Sequence, residues 1–431
     1  MSTSLPLPES LDGWLAYIEQ THPQSIALGL ERVRVVKDAL ALVPAFPVIT
    51  VGGTNGKGSA CMMLEAILHH AGYKVGCYTS PHLMRYNERV RIAREEASDA
   101  QLAHAFEAVE QARAQAGIAL TYFEFGTLAA MRLFIESRID VAILEVGLGG
   151  RLDAVNVFEP DCAMVMSVAL DHMDYLGDTR EKIGFEKAGI FRVGKPAICA
   201  DADPPRSLTD HAAVIGAELL VRGREFDAVS AAAQWRYQGP GGARHGLPWP
   251  ALRGACQLQN AAACIAALDT LRARCPVTMN DIRSGLLTVE NPGRFQVLPG
   301  QPMVILDVAH NPHAAQALAA GLKHMPRGGA TFAVFAMLAD KDITGVASML
   351  MPHIDRWFVA GITSAGLRAT SAQQVSRRLM AAGVSDIECC ESVAQACAKA
   401  REVAGDNDKI LVFGSFHTVS EAMHAMAVLR A

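Results

Sequence analysis

The segment Thr50-Val51-Gly52-Gly53-Thr54-Asn55-Gly56-Lys57-Gly58-Ser59 joins an apolar run at 46–51 to a helical stretch at 60–71. A buried strand that turns through glycines directly into a helix commits the chain to a strand–loop–helix unit, the building block of a parallel sheet covered by helices. The glycines let successive backbone N–H groups converge on an anion without Cβ clashes. The helix N-terminus adds a favourable dipole, and Lys57 adds a positive charge. These residue types describe a cradle for nucleotide phosphates, with ATP as the expected ligand and Thr54, Asn55, Gly56, Lys57, Gly58 and Ser59 as its contacts. The loop departs from the usual pattern twice: Val51 stands where a glycine is usual, and Gly58 where Ser or Thr follows the lysine.

The alternation begun by this unit continues along the chain. Strand-like runs at 47–51, 74–78, 141–146, 163–168 and 196–200 are separated by helical stretches, which predicts a mainly parallel sheet. The pattern weakens over 206–250, where Gln238-Gly239-Pro240-Gly241-Gly242 reads as an exposed turn in a small antiparallel excursion. A helix at 259–274 follows, the chain breaks at Asn291-Pro292-Gly293-Arg294, and a second series begins. Its strands are expected at 303–308, 331–337, 357–362 and 409–413, with a helix at 312–324. The expected fold is α/β: an N-terminal P-loop ATPase domain over 1–295 and a C-terminal Rossmann-like domain over 296–431.

Composition removes several classes of function. The formal net charge is −5 and no basic cluster is interleaved with aromatics, so no nucleic-acid partner is expected. The ten cysteines form no CxxC pair. Reduced thiols in the cytoplasm are therefore expected, rather than a disulfide framework or a zinc site. No apolar run is long enough to span a bilayer, so no membrane partner is expected.

Chemistry-bearing residues gather just beyond the predicted strands. Glu145 ends the run at 141–144 and precedes Val146-Gly147-Leu148-Gly149-Gly150-Arg151-Leu152-Asp153. Ligands of open α/β sheets bind outside the carboxyl ends of strands, so Glu145 is placed to face the phosphate loop as a metal-binding acid. Its alternative is a turn cap. His172 in Ala169-Leu170-Asp171-His172-Met173 is either a metal ligand or a hydrogen-bonded surface histidine. Ser80, before Pro81, is either part of a magnesium shell or a helix N-cap.

Together, Thr54 to Lys57, Ser80, Glu145, His172, the segment Glu186-Lys187-Ala188-Gly189-Ile190-Phe191 and the segment Asp307-Val308-Ala309-His310-Asn311-Pro312 resemble the folylpolyglutamate synthases. These form the folate branch of the Mur ligase superfamily, and the likeness is strongest to its bifunctional dihydrofolate synthase/folylpolyglutamate synthase members. It runs from 28–33 to 414–418. The resemblance implies an ATP-dependent ligase that adds L-glutamate to dihydropteroate and to reduced folates. It also implies two Mg²⁺ sites, one on Ser80 and Glu145 and the other on His172, with Lys187 carbamylated, and it leaves room for a monovalent cation. Lys57, Lys187 and His172 are then catalytic, and Asn260, Arg294 and Asp307 join the loop in holding ATP.

For the pterin the resemblance points to Ile26, Ala27 and Leu28, to Tyr122, Phe123, Glu124 and Phe125, and to Leu152, Asp153 and Ala154. The 122–125 stretch has a competing reading as core of a helix reaching Ile135. For glutamate it points to His310 and Ser415. A monomer is expected. Two other readings stay open at this stage: a peptidoglycan-precursor Mur ligase sharing the same machinery, and an ATP-binding regulatory module without enzymatic output.

Overall fold

The computed structural model describes residues 7–24, 26–231, 234–325, 328–363 and 368–428. They divide into two compact units, Met1–Trp249 with Leu258–Val289, and Pro250–Gln257 with Glu290–Ala431.

The first unit is built on a sheet of eight strands: β1 (Val48–Gly52), β2 (Val75–Tyr78), β3 (Val90–Ile92), β4 (Glu95–Glu96), β5 (Val141–Glu145), β6 (Cys162–Val165), β7 (Pro196–Cys199) and β8 (Glu218–Val221). Their spatial order is β4-β3-β2-β5-β1-β6-β7-β8. Strands β2, β5, β1, β6, β7 and β8 run parallel, and β3 and β4 add an antiparallel edge. β1, β2, β5 and β6 are buried along their whole length, which is why they read as continuous apolar runs. β1 has β5 on one side and β6 on the other, so the loop after β1 opens where the strand order reverses, the usual place for a ligand crevice.

The excursion expected at 206–250 is a helix (Arg206–Ile215), then β8, then a three-stranded antiparallel sheet of β9 (Asp227–Ser230), β10 (Trp235–Gly239) and β11 (Gly242–Leu247). Trp235 and Tyr237 are buried while Arg236 and Gln238 are exposed, the alternation of a strand with one wet face. Asp269, on the helix Gln257–Thr270, anchors this sheet by accepting from Tyr237 Oη at 2.9 Å, Gly241 N at 3.0 Å and Arg244 Nη1 at 3.0 Å.

The second unit has six strands, β12 (Gln296–Leu298), β13 (Met303–Asp307), β14 (Thr331–Phe335), β15 (Arg356–Val359), β16 (Ile387–Cys389) and β17 (Lys409–Phe413). Their order is β12-β13-β17-β14-β15-β16, with only β12 antiparallel. Phe335 packs against Trp357 at 5.5 Å and Phe413 at 4.8 Å at the centre of its core.

The α/β class and the mainly parallel sheets are those the alternation predicts. The β3–β4 hairpin was not anticipated. Its turn residues Ala93 and Arg94 take positive φ values of 54° and 69°, and neither residue type signals a hairpin turn.

Candidate active site

The loop after β1 depends on two glycines. Gly53 has φ +136°, and a Cβ there would lie 2.9 Å from Met166 N; Gly56 has φ +89°, and a Cβ there would lie 3.0 Å from Asn260 Oδ1. The loop is fastened to the segment after β6. Thr54 N donates to Ser167 O at 2.7 Å, Asn55 N to Ser167 Oγ at 3.0 Å, and Ala169 N to Thr54 Oγ1 at 3.0 Å. This explains why the apolar run at 163–168 outlasts its strand: the last residues leave the sheet to hold the loop.

Lys57 Nζ donates to Gly53 O at 2.9 Å and Thr54 O at 3.3 Å, so the ammonium rests within the cradle. Gly53→Ala is expected to weaken ATP binding by about 10-fold, since strained left-handed backbone costs on the order of 1–3 kcal/mol. Titration calorimetry with ATP checks this, and unchanged affinity would mean that the turn tolerates a side chain.

Glu145, at the end of β5, is 3% exposed and accepts the Ser80 backbone N–H at 2.9 Å. Two strand ends are thus joined, and Ser80 is set beside an acid rather than at a helix N-terminus. The glycines that follow bring the chain against the helix Arg180–Ala188: a Cβ on Gly150 would lie 3.1 Å from Lys187 O, and Arg151 N donates to Glu186 O at 2.8 Å.

Lys187 is 3% exposed. Burial brings its amine down to about 7; the Lys57 charge works in the same direction, and Asp171 and Asp153 work against it. Asp153 is pushed up to about 7 by burial, although Leu148 N and Val155 N donate to its carboxylate at 2.8 and 3.1 Å and Lys57 faces it. Lys57, Asp153, Asp171 and Lys187 therefore share one electrostatic neighbourhood.

His172 has a left-handed backbone, φ 51°, uncommon for a residue with a side chain. Its N–H donates to Asp171 Oδ1 at 2.9 Å, and its Nε2 lies 4.0 Å from the same oxygen. Asp171 is the neighbour that reading by motif passes over. Its one signal is its place directly before His172, beyond a strand.

Among the described residues, no group of three or more His, Cys, Asp and Glu could hold a metal ion. Ser80 and Glu145 supply a hydroxyl and one carboxylate, a partial set of hard donors. That fits magnesium, which keeps waters and completes its shell with substrate phosphates.

The pterin candidates converge through Arg32. Its Nη2 donates to Ala27 O at 2.8 Å and to Glu124 Oε1 at 2.7 Å, while Gly29 N donates to Leu152 O at 3.3 Å. Segments 26–29 and 152–154 and the start of the helix Tyr122–Glu136 therefore meet. Glu124 also closes a capping box, its Oε2 accepting Thr121 N at 2.7 Å, so both of its oxygens serve local structure. Phe125 is fully buried against Phe106 at 5.7 Å and belongs to the core. Phe123 covers Gly147, where a Cβ would lie 2.7 Å from its ring, and Tyr122, Ile26, Ala27 and Leu28 are half-buried. Ala154 is buried in the short turn Ala154–Val157.

On the first unit, Asn260 is buried beneath Gly56 on the helix Gln257–Thr270. On the second, Asp307 ends β13 and accepts from Phe295 N at 2.8 Å and Ala309 N at 2.7 Å; burial raises its pKa, against the charge of Arg294. Arg294 lies over the Phe416 ring at 5.1 Å, and His310 lies 6.5 Å from the same ring, with its Nδ1 2.8 Å from Val308 O. Phe416 thus links Arg294 and His310, a role invisible in linear sequence. Ser415 is buried; its Oγ accepts Thr418 N at 3.0 Å and lies 2.7 Å from Thr418 Oγ1, which places it as a cap at the start of the helix Phe416–Val428.

A Mur ligase middle domain matches residues 51–268 and a Mur ligase glutamate ligase domain matches residues 293–416. The dihydrofolate synthase/folylpolyglutamate synthase of Escherichia coli is 44% identical over 421 residues, covering 97% of this chain and 96% of that protein. This chain belongs to the dihydrofolate synthase/folylpolyglutamate synthase family of Mur ligases.

Within that family, the structure of E. coli FolC in complex with DHPP and ADP is 44% identical with a TM-score of 0.93, covering 99% of this chain and all of that one. A bifunctional folylpolyglutamate synthase/dihydrofolate synthase with Mn, AMPPNP and L-glutamate bound is 43% identical with a TM-score of 0.90, covering 100% of both chains. The two family domains begin at the phosphate loop and at Gly293, so each opens on a segment that the sequence motifs single out.

Proposed function

We propose that this chain is an ATP-dependent amide ligase that adds L-glutamate to dihydropteroate, forming dihydrofolate, and to the glutamate tail of reduced folates. The observation that carries the reading is the electrostatically linked group of Lys57, Asp153, Asp171 and Lys187, with Asp153 and Lys187 buried, together with the joined Ser80 and Glu145, in a member of the folate family. Relatives at 44% and 39% identity are folate enzymes, which favours this over the peptidoglycan-precursor alternative.

The acceptor carboxylate attacks the γ-phosphate of ATP in line and ADP leaves, giving an acyl phosphate. The glutamate amine then attacks the acyl carbon through a tetrahedral intermediate, losing a proton as phosphate departs. The loop residues Thr54, Asn55, Gly56, Lys57, Gly58 and Ser59 hold the phosphates with Asn260 beneath them, and Lys57 stabilises charge growing on phosphoryl oxygens. Ser80 and Glu145 would hold one magnesium ion and His172 and Lys187 a second, and the ions would supply further positive charge for the phosphates when bound. The depressed pKa of Lys187 leaves a large neutral fraction at neutral pH, the form that can add CO₂ and lose a proton to become an anionic carbamate. Tyr122, Phe123, Leu152, Asp153 and Ala154, with Ile26, Ala27 and Leu28, form the pterin wall.

In the C-terminal domain, 296–431, we assign His310 and Ser415 to glutamate, and we assign Arg294 and Asp307 to ATP. A monovalent cation, a monomeric state and a cytoplasmic location complete the proposal; the ten free cysteines suit a reducing compartment. The test is ligation with labelled L-glutamate and ATP, offering dihydropteroate, a reduced folate or a UDP-muramoyl acceptor. Product with the pteroates supports the reading, and product only with the muramoyl acceptor overturns it.

A further inference from the structure

Arg89 ends the short helical turn Tyr86–Arg89 before β3 and has no part in the roles assigned above. Its guanidinium lies between two aromatic rings, 5.3 Å from Tyr86 and 5.4 Å from Tyr122, and its Nε donates to His82 Nδ1 at 2.8 Å. Its carbonyl accepts the Thr79 N–H at 2.9 Å, which ties it to the strand end that carries Ser80. Two rings and one hydrogen bond hold the guanidinium plane in place.

The charge is unbalanced. Among the described residues no carboxylate lies within ion-pair distance of Arg89; the polar groups beside its guanidinium are His82 Nδ1 and the Tyr78 hydroxyl. The ring of Tyr122 does not supply an anion: burial pushes its phenol up to about 12 even against the Arg89 charge. His82 meets the guanidinium as an acceptor, at Nδ1. A half-buried guanidinium held flat between two rings, with no carboxylate partner among the described residues, matches an incoming carboxylate, which accepts two parallel N–H bonds.

We infer that Arg89 holds the second carboxylate of a folate acceptor, the α-carboxylate beside the γ-carboxylate that is activated. This rests on the proposed ligase reading. The pterin is uncharged and the reacting carboxylate is drawn to the γ-phosphate near Lys57, so the remaining anion of the acceptor is the tail α-carboxylate. Dihydropteroate has no such group. Arg89 is thus a specificity-determining residue that favours acceptors already carrying glutamate.

The experiment compares kcat/KM for tetrahydrofolate and for dihydropteroate in the unmodified chain, Arg89→Met and Arg89→Lys. In Arg89→Met the ratio of tetrahydrofolate to dihydropteroate kcat/KM is expected to fall about 10- to 100-fold, the scale of a lost charge-assisted hydrogen bond. Arg89→Lys, which keeps the charge and loses the fork, should lie between. The loss should appear in KM for tetrahydrofolate, with KM for ATP unmoved. An unchanged ratio in both variants overturns the inference, whether both activities fall equally or neither falls. An unmodified chain that ligates dihydropteroate alone overturns it too, whereas one that ligates neither acceptor overturns the proposed function instead, before any variant is compared.

Discussion

Lys57→Ala is expected to lower kcat for ligation by about 100-fold or more, the scale for removing one preorganised charge partner from a phosphoryl-transfer site. The ammonium already lies inside the loop, held by Gly53 O and Thr54 O, so it needs little rearrangement to meet a terminal phosphate. Removal also changes the surroundings of Lys187 and Asp153. The Lys57 charge helps to depress the Lys187 amine and opposes the rise of the Asp153 carboxyl, so the variant should move both groups upward. Single-turnover formation of the acyl phosphate, followed over pH, measures both effects. Near-normal turnover in this variant would remove Lys57 from the mechanism.

Lys187→Ala is expected to lose at least about 100-fold in kcat, and short carboxylates such as acetate should restore part of it by entering the vacated space. In the unmodified chain the rate should rise with pH through about 7. The sign follows from the lowered amine pKa: below it Lys187 is protonated and cannot carry CO₂, and above it the neutral amine can. Asp153 titrates over the same range, so the rising limb belongs to the pair rather than to either residue. Added bicarbonate should raise the activity of the unmodified chain at the acid side. Full activity of Lys187→Ala without rescue would argue against a carbamate.

The features legible in the sequence are those that depend on neighbours along the chain. The phosphate loop announces itself because strand, glycines, lysine and helix are contiguous, and Glu145 and His172 are conspicuous because each follows a buried apolar run. Lys187 is different. Its burial depends on Gly150 letting a distant segment approach the helix that carries it, and nothing within 180–188 distinguishes it from a solvated lysine. Glu124 shows the reverse. Thr121 and Glu124 have the spacing of a capping box, so a local signal for its structural role was present beside the proposed pterin role. Arg89 carries little linear signal: Tyr86 shares its turn and His82 lies nearby in the chain, but Tyr122, the second ring, joins them only after folding.

The attachment of Thr54 and Asn55 to residues 167–169 has a kinetic corollary. A loop tied down by its neighbouring strand has surrendered its conformational entropy during folding, so the nucleotide meets a finished surface and loses little free energy in ordering it. Arrival of ATP should then be governed by diffusion and charge, and slow conformational gating, where it is found, should originate in other parts of the chain.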